Sequence, residues 1–288
     1  MKDLGKTRFC LGLQIEHLHS GILVHQSVYI QKLLEKFNMD KAYSNKTSIV
    51  VRSLDKEKDI FRPRKEREEI LGPEYPYLSL IGALIYLANS TKPDIAFAFV
   101  VNLLGRHSAA PTKRHWIGTK QILRYLLNGT LDLGLFFKKS DDPSLVGYTD
   151  AGYLSDPHNT RSQTGFVFLH GGTAISWKSS KQTLMATSTN HFEIIALFEA
   201  SRECVWLRKM IKHIKQSCGI GSSESPTIIY EDNAVCITQM QTGYIKSNIT
   251  KHIAPKLFYP HELQQNGEIN ILQIKSSNNL ADLFTKSL

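Results

Sequence analysis

The chain has 288 residues, 42% of them apolar and 21% charged, with a net charge of +9. That size allows one large domain or two ordinary ones, and the balance is that of a globular protein, not a disordered or fibrous one. Cys10, Cys204, Cys218 and Cys236 show no C-x-x-C spacing, which argues against a disulfide scaffold or a structural zinc site and for a reducing, intracellular compartment; the N-terminal residues lack a signal peptide's apolar core, and no apolar run reaches the ~20 residues of a membrane span.

Charge divides unevenly along the chain. Residues 1–140 hold 22 basic and 13 acidic side chains, while residues 141–288 hold 13 of each. A basic segment suits a polyanion such as nucleic acid, or serves solubility alone. Residues 8–30 read as short strands around a turn at Ser20-Gly21, a β-hairpin. A helix follows, with Ile30, Leu33, Leu34 and Phe37 on one stripe. Residues 52–69 carry 13 charges in 18 positions and read as a solvated loop. Tyr77–Ala88 is an apolar, buried helix. The next helix starts at Pro93, with Thr91 as its cap, and runs to about Leu104. A third covers Thr112 to Leu127. It places Lys113, Lys120 and Arg124 on one side and Trp116, Ile122, Leu123 and Leu126 on the other, with Ile117 interrupting the basic stripe. That stripe is either an ordinary solvated face or a phosphate-tracking one.

Lys138–Ser144 combines charge, Pro and Ser and marks a domain boundary, giving domains 1–140 and 141–288. The second half reads as three strands, a long helix from about Thr189 to Ile214, a strand over "TIIYED", a helix, a late strand over "GEINILQIKSS" and a last helix opening at "NLADLFTK". That order predicts an α/β layered domain.

Four carboxylates stand out. Asp150 and Asp232 each end an apolar strand, where open α/β sheets bind ligands, although Asp is also common wherever a strand gives way to a turn. Glu193 begins an otherwise apolar seam of the long helix, continued by Leu197, Ala200, Cys204, Leu207, Ile211 and Ile214. A carboxylate on a buried seam is costly unless paired or bound to metal. Complementing the positive helix end is its plainer role. Asp282 lies in the first turn of the last helix, an ordinary place for an acid. If the four converge, their repulsion calls for divalent metal, and oxygen ligands point to Mg2+ or Mn2+. Two such ions are the apparatus of phosphodiester hydrolysis.

The stretches "GYTDAGYLSDPHNTRSQTGFVFLHGGTAISWKSSKQT", "STNHFEIIAL", "IIYEDNAVCI", "TKHI" and "NNLADLFTKSL" resemble the ribonuclease H domain of copia-type LTR retrotransposon Pol polyproteins. "CLGLQIEHLHSGILVHQSVYIQKLLEKFNM", "YLSLIGALIYLANSTKPDIAFA" and "PTKRHWIGTKQILRYL" resemble the stretch after the polymerase active site in the same polyproteins. The resemblance implies a ribonuclease H-like mixed sheet flanked by helices. Before it would come a mainly helical, thumb- or connection-like remnant of reverse transcriptase with a short hairpin. It implies hydrolysis of the RNA strand of an RNA–DNA hybrid, beside the polymerase part of a reverse transcriptase. Asp150, Glu193, Asp232 and Asp282 match the metal-binding acids. Asn190 matches a residue that contacts the hybrid's minor groove, or else it caps the helix.

There are departures too. No aromatic-x-Asp-Asp motif occurs, so polymerisation is not expected. Lys275–Leu280 lacks the histidine of cellular ribonucleases H, and Ala254 stands where an acid is commoner. Pro255 and Pro260 are expected to break or kink a helix. The chain ends six residues after Asp282, so a short last helix is expected. The alternative function is an inactive nucleic-acid-binding remnant of the polyprotein.

Overall fold

The structure is a computed structural model that describes residues 5–47, 57, 59, 62–96, 104–140, 143–156, 158, 161–184, 188–221, 225–243 and 254–286. The chain divides into two compact units. One is Met1–Asp141 with Gly171–Thr173 and Ser287–Leu288; the other is Asp142–His170 with Ala174–Lys286.

The first unit holds an antiparallel sheet of four strands: β1 (Phe9–Cys10), β2 (Leu13–Leu18), β3 (Gly21–His25) and β4 (Leu135–Lys138), in that order. The hairpin expected over residues 8–30 is therefore the inner part of a larger sheet. β4 joins it from 110 residues away, with Val24 opposite Leu135. Gly21 opens β3 because a Cβ there would lie 2.2 Å from the Phe137 carbonyl oxygen.

Helix α1 (Ser27–Lys36) buries Ile30, Leu33 and Leu34 on one stripe. Helix α2 (Tyr77–Ser90) buries Leu80, Ile81, Leu84 and Leu87, yet Leu78 and Ile85 are exposed. It is thus one-sided rather than buried all round. Pro93 takes the first position of α3 (Pro93–Ala96). Thr91 ends α2, and its hydroxyl donates to Gln26 Oε1 at 2.8 Å instead of capping α3. The expected continuation through 97–103 lies outside the described residues. Helix α4 (Lys113–Leu126) starts after Thr112, whose backbone N–H donates to His115 Nδ1 at 3.1 Å. Ile122, Leu123 and Leu126 are wholly buried.

The charged stretch before α2 is not simply solvated. Glu68 holds Arg62 at 2.5 Å and Arg114 of α4 at 3.2 Å. Its carboxyl is lowered to about 2, chiefly by the backbone N–H of Lys65 and despite some burial.

The second unit is a five-stranded mixed sheet of β5 (Leu145–Asp156), β6 (Arg161–His170), β7 (Thr173–Lys181), β8 (Thr227–Glu231) and β9 (Ile269–Gln273), in the order β7-β6-β5-β8-β9. β5 pairs antiparallel with β6 and parallel with β8, which pairs parallel with β9. Helix α5 (Thr189–Ser217) packs on β5 and β6. Its seam is buried from Glu193 to Leu207, but Ile214 is 53% exposed, so the inward face ends sooner than the spacing suggests. Helices α6 (Ala234–Thr242) and α7 (Ala254–Gln265) pack on α5 and on each other. Pro260 lies inside α7, and the helix continues through it. Pro255 falls in the first turn, where no N–H is needed. The "TKHI" motif, residues 250–253, lies outside the described residues. Two short 3-10 turns, Ser276–Asn278 and Leu280–Phe284, replace the expected last α-helix. Among the described residues no helix is long and apolar enough to cross a membrane.

Candidate active site

The parallel register of β5 and β8 sets the site. Tyr148 is opposite Tyr230, and the two acids lie two positions further along each chain. β8 stops at Glu231, where the chain turns into α6; the Asn233 side chain accepts the N–H groups of Val235 and Cys236, both at 3.0 Å. Asp232 thus projects from a strand-to-helix corner. Asp150 does not end its strand: β5 runs six residues further, with Asp150 opposite Gly165 of β6. What ends near Asp150 is the parallel partner β8. From α5, Glu193 reaches the same place. One oxygen from each of Asp150, Glu193 and Asp232 lies within 4.8 Å of the others.

The C-terminal segment lines the other side. Asn279 donates from Nδ2 to the Thr149 carbonyl at 2.9 Å and caps the turn that follows through the Ala281 N–H. That turn rests on two bare backbone positions. A Cβ on Gly165 would meet Thr285 Cγ2 at 2.6 Å, and one on Gly152 would meet the Thr285 carbonyl oxygen at 2.6 Å. The close approach lets the Thr285 hydroxyl donate to Asp150 Oδ2.

Asp282 stays outside the group of three. Its carboxylate takes the Lys286 ammonium at 2.6 Å, and that ammonium lies 3.6 Å from Asp150 Oδ1. The expected four-acid convergence is therefore three acids with a lysine between the first and the fourth.

Burial shapes the electrostatics. Asp150 is 2% exposed, and desolvation pushes its carboxyl up to about 6, against the pull of Thr285 and Lys286. Glu193 is raised far more, by burial first and then by Glu231, Asp150 and Asp232. Glu231, wholly buried, is also raised well above the usual range, although the Asn233 N–H at 3.1 Å opposes this. Burial works against the Lys286 charge, but its bond to Asp282 and the other nearby acids outweigh it.

Glu231, Thr285 and Lys286 were not among the candidates. Glu231 was readable from alternation, because Thr227, Ile229 and Glu231 share the buried face of β8. Lys286 was readable as an i,i+4 partner of Asp282. The contact of Thr285 with Asp150 spans 135 positions and has no local signal.

The donor set fits a hard divalent cation. All three converging ligands are carboxylates, and Glu193 Oε2 is withdrawn from solvent with no hydrogen-bond partner among the described residues. An open cleft of about 500 Å³ reaches Asp232 alone of the three and is otherwise lined by Gln273, Ile274, Lys275 and Ser276.

Asn190 is the second residue of α5, and Ser188 is the cap, so the capping alternative does not hold. The Asn190 amide donates to Gln239 Oε1 at 2.6 Å. Lys113 and Arg124 are exposed on α4, whereas Lys120 is half-buried, its ammonium 5.6 Å from the centre of the Trp116 ring.

A β7-β6-β5-β8-β9 mixed sheet with helices on it and acids on β5, α5 and the end of β8 is a ribonuclease H-like domain. Over its whole length the chain is similar to copia-type, retrovirus-related Pol polyproteins of transposons. It is 33% identical over 288 residues to the Pol polyprotein of transposon TNT 1-94 from Nicotiana tabacum, covering 99% of this chain and 21% of that one. To the Pol polyprotein of transposon RE2 from Arabidopsis thaliana it is 29% identical, over 100% of this chain and 18% of that one. The chain thus spans about a fifth of the length of these polyproteins. A shorter relative, secreted RxLR effector protein 161 from Plasmopara viticola, is 40% identical over 49% of this chain and 96% of its own. Among solved structures, LC11-RNase H1 isolated from compost is similar at 19% identity and a TM-score of 0.35, over 49% of this chain and 92% of that one. No family model matches the chain.

Proposed function

We propose that this chain hydrolyses the RNA strand of RNA–DNA hybrids, as the ribonuclease H portion of a retrotransposon Pol polyprotein. Residues 141–288 are the nuclease, and residues 1–140 are the end of a reverse transcriptase lacking the polymerase motif. The observation that carries this reading is the meeting of Asp150, Glu193 and Asp232.

Asp150, Glu193 and Asp232 are the residues to hold Mg2+ or Mn2+, two ions in the full site, which supply activation of the attacking water and stabilisation of the leaving oxygen. The chain's own groups prepare that site. Thr285 orients the Asp150 carboxylate by donating to it. Glu231 accepts the Asn233 N–H and so fixes the corner that presents Asp232. Asp282 becomes available as a fourth ligand once the Lys286 ammonium leaves it. Asn190 lies one helical turn before Glu193, suited to the 2′-hydroxyl face of a hybrid. Lys113, Lys120 and Arg124 serve as phosphate contacts. A reverse-transcriptase polymerase domain is the expected protein partner, inside the cell.

Digestion of a labelled hybrid by the purified chain tests this reading. RNA fragments should appear with magnesium, vanish with chelator and be absent for Asp232→Asn. Cleavage by that variant at the wild-type rate would refute the assignment.

One observation favours a second reading. The Lys286 ammonium already neutralises Asp282 and approaches Asp150, as suits an inactive nucleic-acid-binding remnant. Hybrid binding that persists in chelator, without products under any cation, would select it.

A further inference from the structure

A second concavity lies away from the acids. It has a volume of about 420 Å³ and is lined by Leu145 and Thr227, the first residues of β5 and β8. Asp150 is five residues further along β5, roughly 17 Å at 3.3–3.4 Å per residue. The volume falls within the roughly 300–1,000 Å³ of small-molecule sites.

Its walls are of two kinds. Leu145, Val205, Ile211 and Pro226 supply apolar surface. Arg208, Lys209, Lys212 and Lys215 of α5 supply four positive charges, against one acid, Glu268, among the described residues of the lining. Arg208 is anchored: its Nη1 donates to the Ser225 carbonyl at 2.8 Å and to Thr227 Oγ1 at 2.9 Å. Both bonds use one nitrogen, so they hold the rest of the guanidinium fork in a set direction. Neither Lys209 nor Lys215 forms an ion pair with a described residue. His170 also lines the cavity. Its Nε2 is withdrawn from solvent and has no hydrogen-bond partner among the described residues.

Complementing the negative end of α5 does not account for this cluster. That effect fades within the last helical turn, and the helix ends at Ser217. Arg208, Lys209 and Lys212 all precede that turn. A ligand with a dianionic group and a flat, weakly polar body satisfies both kinds of wall.

We propose that this cavity binds a nucleoside phosphate, with the phosphate at Arg208, Lys209 and Lys215 and the base against Leu145, Val205 and Ile211. The same chemistry is offered by a free mononucleotide and by the phosphorylated end of a strand. The site does not depend on the nuclease reading, since none of its residues touches the three acids.

Titration calorimetry on the full chain tests it, in chelator so that the carboxylate site holds no ion. The ligands are AMP, adenosine, inorganic phosphate and a 5′-phosphorylated diadenylate. AMP should bind saturably, one per chain, with adenosine and phosphate each at least tenfold weaker. Lys209→Glu combined with Lys215→Glu should weaken AMP at least tenfold, and Lys209→Glu alone should weaken it measurably. Asp232→Asn should leave it unchanged, so a failed nuclease assay and a failed binding assay are separate results. Tighter binding of the diadenylate supports the proposal with a strand end as ligand; tighter binding of AMP supports it with a free nucleotide. Absence of saturable AMP binding overturns it. So does equal affinity for AMP and phosphate, or AMP binding indifferent to the lysine variants.

Discussion

The two units each bury ionisable groups, and they treat them in opposite ways. In the first, Lys92 is 1% exposed, and its ammonium donates to the carbonyls of Thr130 and Leu133. In the second, Glu193 and Glu231 are 6% and 0% exposed, and each keeps an oxygen with no hydrogen-bond partner among the described residues. A buried charge whose bonds are made is a strut: it ties segments together, although burial still works against the charge and lowers the Lys92 pKa. A buried charge whose bonds are unmade is a cost that the fold carries for something outside itself. Burial alone would have flagged all three residues; only the state of their hydrogen bonds separates them.

Mutation should reveal that contrast as a difference in sign. Lys92→Met strands two carbonyls, so it should lower stability by ~3 kcal/mol, read as a shift in the urea midpoint. A neutral response would mean that the ammonium is not a strut.

A similar magnitude belongs to Asp150, read through pH. Burial raises its folded-state pKa from 3.8 to about 6, so the fold favours the protonated form. That contribution is complete below about pH 4 and is lost as pH climbs through about 6, some ~3 kcal/mol in chelator. Urea midpoints at pH 4 and pH 7 should therefore differ in that direction, and Asp150→Asn should remove this part of the difference.

Glu231→Gln keeps the acceptor for the Asn233 N–H and supplies, without titrating, the donor that Glu231 offers only when protonated. It should raise stability in chelator at pH 7 by ~1–2 kcal/mol, opposite in sign to Lys92→Met. A loss of stability there would erase the distinction between the units.

The smallest effect on folding is expected on α4. Neutralising Lys113, Lys120 and Arg124 should change stability by no more than ~0.5 kcal/mol. If they contact phosphates, the slope of log affinity for a hybrid against log salt should become shallower by roughly 2–3. An unchanged slope would identify the stripe as a solvated face.

Much of this was legible in the sequence because the signals were local. The seam of α5 isolates Glu193 among apolar neighbours, and the apolar run of β8 ends at its acids. Contacts between distant segments were not legible. β4 is four residues long and makes sense only beside β3. The displacement of Asp282 needed Lys286, a partner the helical spacing offered but the family pattern hid. Gly152 and Gly165 look like ordinary strand glycines until the C-terminal turn is laid over them. The charged segment before α2 reads as solvated because composition does not reveal that Glu68 has Arg114 to hold.

Helix α5 has 29 residues, roughly 43 Å at 1.5 Å per residue. Glu193, Glu199 and Glu203 occupy its first half, with Arg202 beside Glu199, and Arg208, Lys209, Lys212 and Lys215 its second. This ordering runs in the same sense as the polarity of its peptide groups, although that polarity acts on side chains only within the end turns. To a distant polyanion it is a signpost. The field draws strands toward the carboxyl-terminal half and turns them away from the amino-terminal half, until the acids there are covered by positive ions.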